Sequence, residues 1–363
     1  MSGVRPRVAA LDGLRGAAII VVLAYHLLNG SGMPGGYTGV NAFFVLSGFL
    51  ITSLLISEYR GAGRIDFKAF WMRRAIRLAP ALGVTICAAI VLAVAGDRAA
   101  QPHETLVGVP FVIFYVGNLL RAFNQNALGI LGHTWSLSVE EQFYVVWPLL
   151  FVLLAASRQR SAWKAMALLA IVDAVWCQIE TVAISEARGN FGTDTAAFAL
   201  IGGCAFALWY SQHQPRPTAS AKLRTLWHVL SVLAAAAAAI EVFAIAETTY
   251  TMTQQMAVVS VCMLIVLAQT LLAPGGPIQT VLESPAMRWL GQRSYGLYLY
   301  HYLIFVGWAS HAGGIAGVEV KVAKVLLTVA VTAASWELLE TPVRRQFRQR
   351  WRRGPALAAA LKA

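Results

Sequence analysis

The stretch LRGAAIIVVLAYHLLN, residues 14–29, is almost wholly apolar, with Arg15 and His26 as its ionisable residues. An apolar run of about 17–25 residues has the length of a helix that crosses the hydrocarbon core of a bilayer. Further runs of this kind follow along the whole chain. Together they cover residues 14–29, 37–57, 78–96, 139–156, 165–184, 195–210, 226–246, 254–272, 292–309 and 319–340. The sequence therefore predicts an all-α, polytopic membrane protein with about ten transmembrane helices.

The composition of the 363 residues agrees with this interpretation. Hydrophobic residues make up 58% of the chain and charged residues only 13%, whereas a soluble domain is about one quarter charged. The mean hydropathy is +0.62. These values exclude a disordered protein, a coiled coil and a soluble multidomain enzyme.

One apolar run does not fit the pattern of the others. Residues 105–120, TLVGVPFVIFYVGNLL, are short for a span and include Pro110. We expect a re-entrant or interfacial segment within the long connection 97–138, although an additional span is also compatible with the pattern.

The net charge of +12 is explained by topology. With an even number of spans both termini share a side, and placing them in the cytoplasm puts 24 of the 29 Lys and Arg residues on that side. Such an asymmetry is the positive-inside signature of membrane proteins. The surplus of basic residues is therefore explained without a nucleic-acid partner. We expect one transmembrane domain over residues 1–345 and a short basic cytoplasmic tail over 346–363. The basic residues left on the outer side are Arg98, Arg121, Arg188, Lys321 and Lys324.

Arg15 and His26 are candidate functional residues, because ionisable side chains within a span are costly and usually serve a function. They are 11 positions apart, about three helical turns, which puts them on nearly the same face and roughly 16 Å apart along the axis. Imidazole is the usual general base near neutral pH. The structural alternative is a hydrogen bond from His26 to a neighbouring helix.

A second candidate group is Arg73, Arg74 and Arg77 in the inner segment FKAFWMRRAIRLAP. Their spacings of three and four residues bring them together on a helix. Guanidinium groups match phosphate oxygens bidentately, which favours a phosphate-bearing cytosolic ligand. The alternative is a topogenic basic loop or contact with anionic lipid, which we favour for the flanking Arg60, Arg64 and Lys68.

A third group lies at the entrance to the fourth span, in HTWSLSVEEQFYVVWPLLF. Its candidates are Ser138, Glu140 and Glu141. The spacing of Ser138 and Glu141 also fits a helix-capping box, and this reading stays open for Ser138. We expect Glu141 to face inward. On the ninth span Tyr298 and His301 belong to a polar aromatic stripe, for which an interfacial aromatic belt is the alternative.

Six motifs carry a resemblance to a known family. They are LDGLRGAAIIVVLAYH, GVNAFFVLSGFLIT, RRAIR, SLSVEEQFYVVWP, YGLYLYH and LLETPVRR. In this order they resemble the integral-membrane acyltransferase family 3, over about residues 9–345. That family comprises O-acyltransferases of polysaccharides, lipopolysaccharide, peptidoglycan and macrolides. The resemblance implies an acyl donor, usually acetyl-CoA, bound from the cytoplasmic side, and a hydroxyl acceptor. Some members carry an additional esterase-like domain, which we do not expect after this short tail.

The family's first-span Arg and His match Arg15 and His26, its loop arginines match Arg73, Arg74 and Arg77, and its acidic motif matches Glu140 and Glu141. We therefore predict a multi-pass protein of the bacterial inner membrane that transfers an acyl group, in the first instance acetyl, from acyl-CoA to a hydroxyl of a cell-envelope glycan without a metal. The alternatives are acylation of a macrolide-like small molecule and, in a different class, a transporter or exporter. The assigned residues are His26, Arg15 and Glu141 for catalysis, Arg73, Arg74 and Arg77 for the donor, and Glu140, Ser138, Tyr298 and His301 for the acceptor.

Overall fold

The computed structural model describes residues 9–156, 161–213, 217–218, 220–307, 314–347 and 349. Most of these residues are helical and none of them lies in a β-strand, which confirms the predicted all-α class. Each predicted span overlaps one long helix of the described chain. The helices are α1 Ala9–Leu27, α2 Gly39–Ala62, α3 Phe67–Val94, α4 Trp135–Ala156, α5 Ala162–Ala183, α6 Phe198–His213, α7 Ala221–Phe243, α8 Thr251–Leu272, α9 Pro285–Gly307 and α10 Gly314–Ser335. The predicted tail lies, apart from residues 346, 347 and 349, outside the described residues.

Eight helical segments of the described chain are long and apolar enough to cross a membrane. The two long helices that do not meet this criterion are α6, which has 16 residues, and α9, which includes Arg288, Gln292 and Arg293. The total of ten spans therefore remains a prediction, as does the side on which each terminus lies.

Helices α2 and α8 lie at the centre of the bundle, because most of their residues are buried, whereas few residues of α5, α7 and α10 are buried. The exposed residues include large apolar side chains such as Leu168, Leu233 and Leu326. Lipid tails are as apolar as these side chains, so their exposure is typical of the outer surface of a membrane bundle.

The segment predicted not to span folds as two short helices, Pro102–Ile113 and Gly117–Phe123. Tyr115 between them has a φ of 54°, a left-handed conformation that interrupts the helix. The longer helix has 12 residues and extends about 18 Å at 1.5 Å per residue. A bilayer core is about 30 Å thick, so neither helix crosses it alone.

Helix α3 begins earlier than the predicted third span, at Phe67 rather than near residue 78. Asp66 caps it by accepting a hydrogen bond from the Ala69 amide at 2.9 Å, which satisfies one of the free donors of the first turn. The helix continues through Pro80 to Val94. The arginine cluster therefore belongs to the first turns of a long helix rather than to a separate loop.

Helices α1 and α9 approach each other closely. A Cβ atom built on Gly291 would lie 1.6 Å from the carbonyl oxygen of Asp12, so only glycine permits this approach. Farther along, Arg15 hydrogen-bonds to Ser294, and His26 contacts His301. Successive contacts therefore advance in the same direction on both helices, which run parallel.

These contacts define two ends of the bundle. The arginine end contains Arg15, Arg73, Arg74 and Arg77, and the histidine end contains His26, His133 and His301. Helices α1 and α9 run from the arginine end to the histidine end. Helix α4 runs in the opposite direction, because Ser136 contacts Tyr298 near its start and Glu141 pairs with Arg74 farther along.

Replacing Gly291 with Ala should destabilise the protein by about 1–3 kcal/mol, the usual effect of overpacking, because the added methyl group collides with the α1 backbone. Thermal unfolding in detergent measures the effect. Gly83→Ala is the matched control, since Gly83 lies in α3 and a Cβ there has no atom within 4 Å. It should be neutral or stabilising, because Ala favours the helix. Equal melting temperatures for the two variants would contradict the close contact.

Candidate active site

His26 and His301 form a hydrogen-bonded pair at the histidine end. His301 Nε2 lies 3.3 Å from His26 Nδ1, and His301 is fully buried. The Nδ1 atoms of His26 and His301 lie 2.9 Å from the Val22 carbonyl oxygen and 3.0 Å from the Leu297 carbonyl oxygen, respectively. The two histidines, which the sequence analysis assigned to catalysis and to acceptor binding respectively, are thus in direct contact.

These contacts fix the tautomers of the neutral rings. A carbonyl oxygen can only accept a hydrogen bond, so both Nδ1 atoms carry the proton. His301 Nε2 is then an acceptor, and the His26 Nδ1–H group is shared between Val22 and His301. His26 Nε2 keeps its lone pair, which makes this atom the candidate base.

A third histidine, His133, completes the cluster. Its ring stacks on Tyr302 at a centroid distance of 4.7 Å and lies 5.8 Å from the His301 ring. Neither ring nitrogen of His133 has a hydrogen-bond partner among the described residues. The same residues contain no group of His, Cys, Asp or Glu side chains suited to a metal ion.

Tyr298 joins α9 to the start of α4. Its hydroxyl donates to the His133 carbonyl oxygen at 2.5 Å and lies 2.7 Å from Ser136 Oγ. Since the phenol has a single proton, the Ser136 hydroxyl donates to Tyr298. Tyr298 is therefore held with its ring against the histidine cluster, 5.8 Å from His301.

The histidine chamber is a cavity of about 350 Å³ bordered by His26 and His133 of this cluster. Its wall also includes loop residues Asn29 and Gly30, which follow α1. The polar and aromatic residues that matter most for its chemistry are His26, His133, Arg121, Trp135, Tyr298 and Tyr302.

The arginine chamber is a larger cavity of about 770 Å³ at the opposite end. Arg15, Arg73, Arg74 and Arg77 line it. Arg73 pairs with Glu58 at 3.3 Å and is half exposed. Arg77 is exposed and has no hydrogen-bond or ion-pair partner within the described chain. This cavity therefore offers at least one guanidinium group to a ligand.

Arg74 is held more firmly than the other two arginines. Its Nε atom lies 3.7 Å from Glu141 Oε1, and its guanidinium carbon lies 3.2 Å from the Tyr144 ring centroid. Cation–π contact and ion pairing both favour this position. Glu141 therefore balances a charge at the arginine end and is not brought to His26.

A narrow passage of about 40 Å³ lies between the chambers. Arg15 lines the passage and the arginine chamber, whereas Tyr298 and Val40 line the passage and the histidine chamber. Glu140 also borders the passage and accepts a hydrogen bond from Ser47 at 2.6 Å. Arg15 donates to Ser294 Oγ through Nε and Nη2 at 3.2 and 3.1 Å. The three cavities thus form a row that runs from Arg77 to His26.

Ser138 is the predicted site residue that lies apart from this row. It is buried within α4, and its hydroxyl has no partner among the described residues. The helix already begins at Trp135, so Ser138 and Glu141 do not form the capping box that their spacing allowed. The other assigned residues border the chambers or the passage, except for Glu141 and His301, which contact residues that do.

Arg121, His133 and Tyr302 were not assigned to the site from the sequence. His133 is close to the acidic motif, and Tyr302 directly follows His301. Both residues could therefore have been assigned to the site from their positions in the sequence. Arg121 counted only as an outer basic residue. It borders the chamber because its short helix, Gly117–Phe123, folds back onto the segment Gly129–Thr134, and Arg121 Nη1 donates to the Gly132 carbonyl oxygen at 2.8 Å.

Replacing Tyr298 with Phe should lower the free energy of unfolding by about 1–3 kcal/mol, because Ser136 and the His133 carbonyl lose a buried hydrogen-bond partner. Thermal unfolding of the detergent-purified protein measures the loss. Tyr250→Phe is the control, since Tyr250 is 67% exposed. An unchanged melting temperature for Tyr298→Phe would show that the two hydrogen bonds of the Tyr298 hydroxyl do not stabilise the fold.

Comparison with known proteins identifies relatives of known class. The putative peptidoglycan O-acetyltransferase YrhL of Bacillus subtilis (strain 168) is 34% identical over 359 residues, covering 93% of this chain and 55% of the relative. The O-acetyltransferase OatA of Staphylococcus aureus (strain NCTC 8325 / PS 47) is 31% identical over 346 residues, covering 93% and 57%. The peptidoglycan O-acetyltransferase OatA of Listeria monocytogenes serovar 1/2a is 30% identical over 365 residues, covering 94% and 56%.

The chain thus spans about half the length of the curated relatives it matches. No solved structure matches it. The family model described as "Acyltransferase domain" matches residues 8–336, a range that includes both chambers and the passage. The chain therefore belongs to this acyltransferase family, acyltransferase family 3, and is a multi-pass integral membrane protein of the bacterial cell membrane.

Proposed function

We propose that this protein is a membrane-embedded O-acyltransferase that moves an acyl group, in the first instance acetyl, from acyl-CoA to a hydroxyl of a cell-envelope glycan. The observation that carries the proposal is the row of cavities that joins a base, His26 Nε2, to a cluster of arginines. The relatives support the acceptor class, because two of them are named as peptidoglycan O-acetyltransferases. The names of these relatives support neither transport nor a macrolide-like acceptor.

The arginine chamber suits the donor. Coenzyme A carries phosphate groups, for which guanidinium groups are the preferred side-chain partners. Arg77 is exposed without a partner in the described chain, and Arg73 is half exposed beside Glu58. Arg74 is already paired with Glu141. We therefore assign phosphate binding chiefly to Arg77 and Arg73, with Arg74 supporting the local positive charge.

The histidine chamber suits the acceptor and the chemical step. His26 Nε2 takes the proton from the acceptor hydroxyl while its oxygen forms a bond to the acyl carbon. The carbon–sulfur bond then breaks, and the protonated His26 returns the proton to the leaving thiolate. His301 Nε2 accepts from His26 Nδ1–H and so stabilises the charge that His26 gains. A transient acyl group on His26 would use the same nitrogen.

The passage sets the geometric requirement of this reaction. At about 40 Å³ it has room for only a few water molecules, since each needs about 10–15 Å³ of such space. A thioester arm reaches His26 only when Arg15, Glu140 or Tyr298 moves aside. Arg15 is held in the passage by one hydroxyl, that of Ser294. We therefore assign to Arg15 the position beside the acyl arm.

Replacing His26 with Ala should reduce acyl transfer by at least about 10²-fold, the usual contribution of a general base. His301→Ala should give a smaller loss in kcat, because it removes the group that orients His26. The measurement is transfer of labelled acetyl groups from acetyl-CoA to glycan by the reconstituted full chain, with thermal unfolding to verify the fold.

His103→Ala is the matched control, since His103 is exposed and borders neither chamber. It should retain full activity. Substantial turnover by folded His26→Ala would refute the base assignment. Release of thiol from acetyl-CoA only when acceptor is present would support a transferase, whereas glycan flux without thiol release would support transport.

Replacing Arg77 with Gln should raise the KM for acetyl-CoA roughly tenfold, as expected from loss of a hydrogen bond to a charged group, with kcat little changed. Arg60→Gln is the control: Arg60 is exposed and donates to the Ser211 carbonyl oxygen outside the chamber. Initial rates over a range of donor concentrations give both constants. If both variants kept the wild-type KM, Arg77 would have no part in donor binding.

A further inference from the structure

Arg121 presents a positive charge to the histidine chamber. Its Nε and Nη1 atoms donate to the carbonyl oxygens of Gln125 and Gly132 at 2.9 and 2.8 Å. Its guanidinium carbon lies 4.1 Å from the ring centroid of Phe191. Two carbonyls and one aromatic face thus hold the group in place, while Nη2 has no hydrogen-bond partner among the described residues.

No carboxylate balances this charge within the described part of the chain. The residues that line the histidine chamber include no Asp or Glu, and Arg121 forms no ion pair with another described residue. Arg188 differs, because it pairs with Asp194 at 2.6 Å. The charge of Arg121 is therefore left available to whatever occupies the chamber.

Two neutral side chains in the same wall also lack partners. Asn190 Oδ1 and both ring nitrogens of His133 are buried without a hydrogen bond to any described residue, and His133 is 3% exposed. Buried polar groups in folded proteins are almost always paired, and an exception calls for an explanation. A polar ligand in the chamber supplies one, because its hydroxyl groups can donate to Asn190 and pair with His133.

We propose that the histidine chamber binds an anionic glycan, with Arg121 contacting a carboxylate or phosphate group close to the hydroxyl that is acylated. This inference rests on the proposed function in one respect, namely that the acceptor hydroxyl lies at His26. A guanidinium fork favours a planar or tetrahedral oxyanion over a neutral sugar hydroxyl. Arg121 is thus a specificity-determining residue for the acceptor, and Asn190 contacts the neutral part of the same ligand.

A purely structural role for Arg121 predicts something different. If the side chain only held residues Gln125 and Gly132 through their carbonyls, its loss would weaken binding of charged and neutral acceptors alike. A role in recognition makes the loss selective for charged acceptors. The discriminating quantity is therefore the ratio of affinities for matched charged and neutral glycans.

The test uses the full chain in phosphatidylcholine vesicles, which carry no net lipid charge. The ligands are a trisaccharide of N-acetylglucosamine, the same trisaccharide with one carboxymethyl ether, and the same trisaccharide with one phosphate ester. Equilibrium binding is measured without donor, and transfer is then measured with acetyl-CoA. The two charged ligands separate a carboxylate site from a phosphate site.

For the wild-type protein we expect at least one charged trisaccharide to bind on the order of tenfold more tightly than the neutral one. Arg121→Gln should reduce the affinity for that ligand to the neutral level and leave the neutral affinity unchanged. Arg121→Lys keeps the charge but lacks the planar guanidinium group. Its affinity for the charged ligand should lie between those of the wild-type protein and Arg121→Gln. Arg98→Gln is the control, because Arg98 is exposed and is not part of the chamber wall.

Equal affinity of the wild-type protein for charged and neutral ligands would overturn the inference, as would an equal loss for both in Arg121→Gln. If that variant does not fold, the salt dependence of wild-type binding decides: added salt should weaken binding of the charged ligand only. Arg121-dependent binding without acetyl transfer would refute the proposed function and keep the anion site. Acetyl transfer without any preference for charged acceptors would refute the anion site and leave the proposed function standing.

Discussion

The contact between α1 and α9 is the constraint on which the site depends. Because Gly291 leaves room for the Asp12 carbonyl, the two helices approach closely and run parallel. Their contacts then recur one above the other: Arg15 meets Ser294, and His26 meets His301. In a membrane, where helices gain little from burying apolar side chains against each other, small residues and polar contacts of this kind provide the association.

The same arrangement separates two kinds of chemistry along one axis. The arginines at the arginine end differ in how firmly they are held. Arg74 pairs with Glu141, whereas Arg77 has no partner in the described chain. At the histidine end, backbone carbonyls determine which ring nitrogens hold protons. Arg15, Glu140 and Tyr298 lie between the two ends. The ionisable groups of the bundle thus have distinct environments at its two ends, where their presence within a bilayer is costly and indicates function.

Helical periodicity explains what the sequence could predict. The 11-residue spacing of Arg15 and His26 aligned them along α1, and the spacing of Arg73, Arg74 and Arg77 grouped them on one helix. Contacts between distant segments were beyond such reasoning. The pairing of Arg74 with Glu141 and of His26 with His301 depends on how helices pack. Arg121 could not be assigned, because the irregular connection that positions it has no periodic pattern.

The narrow passage has an electrical consequence. An open channel through the bundle would let ions flow, and each elementary charge that crosses gains or loses about 2.3 kcal/mol per 100 mV of membrane potential. The gap of about 40 Å³ bordered by Arg15 and Glu140 is the smallest of the three cavities and would limit such a current. An acetyl group is neutral, so its movement past these residues would be neither driven nor opposed by the voltage. A small constriction would therefore limit ion leakage, whereas the proposed transfer of a neutral acetyl group would not depend on the membrane potential.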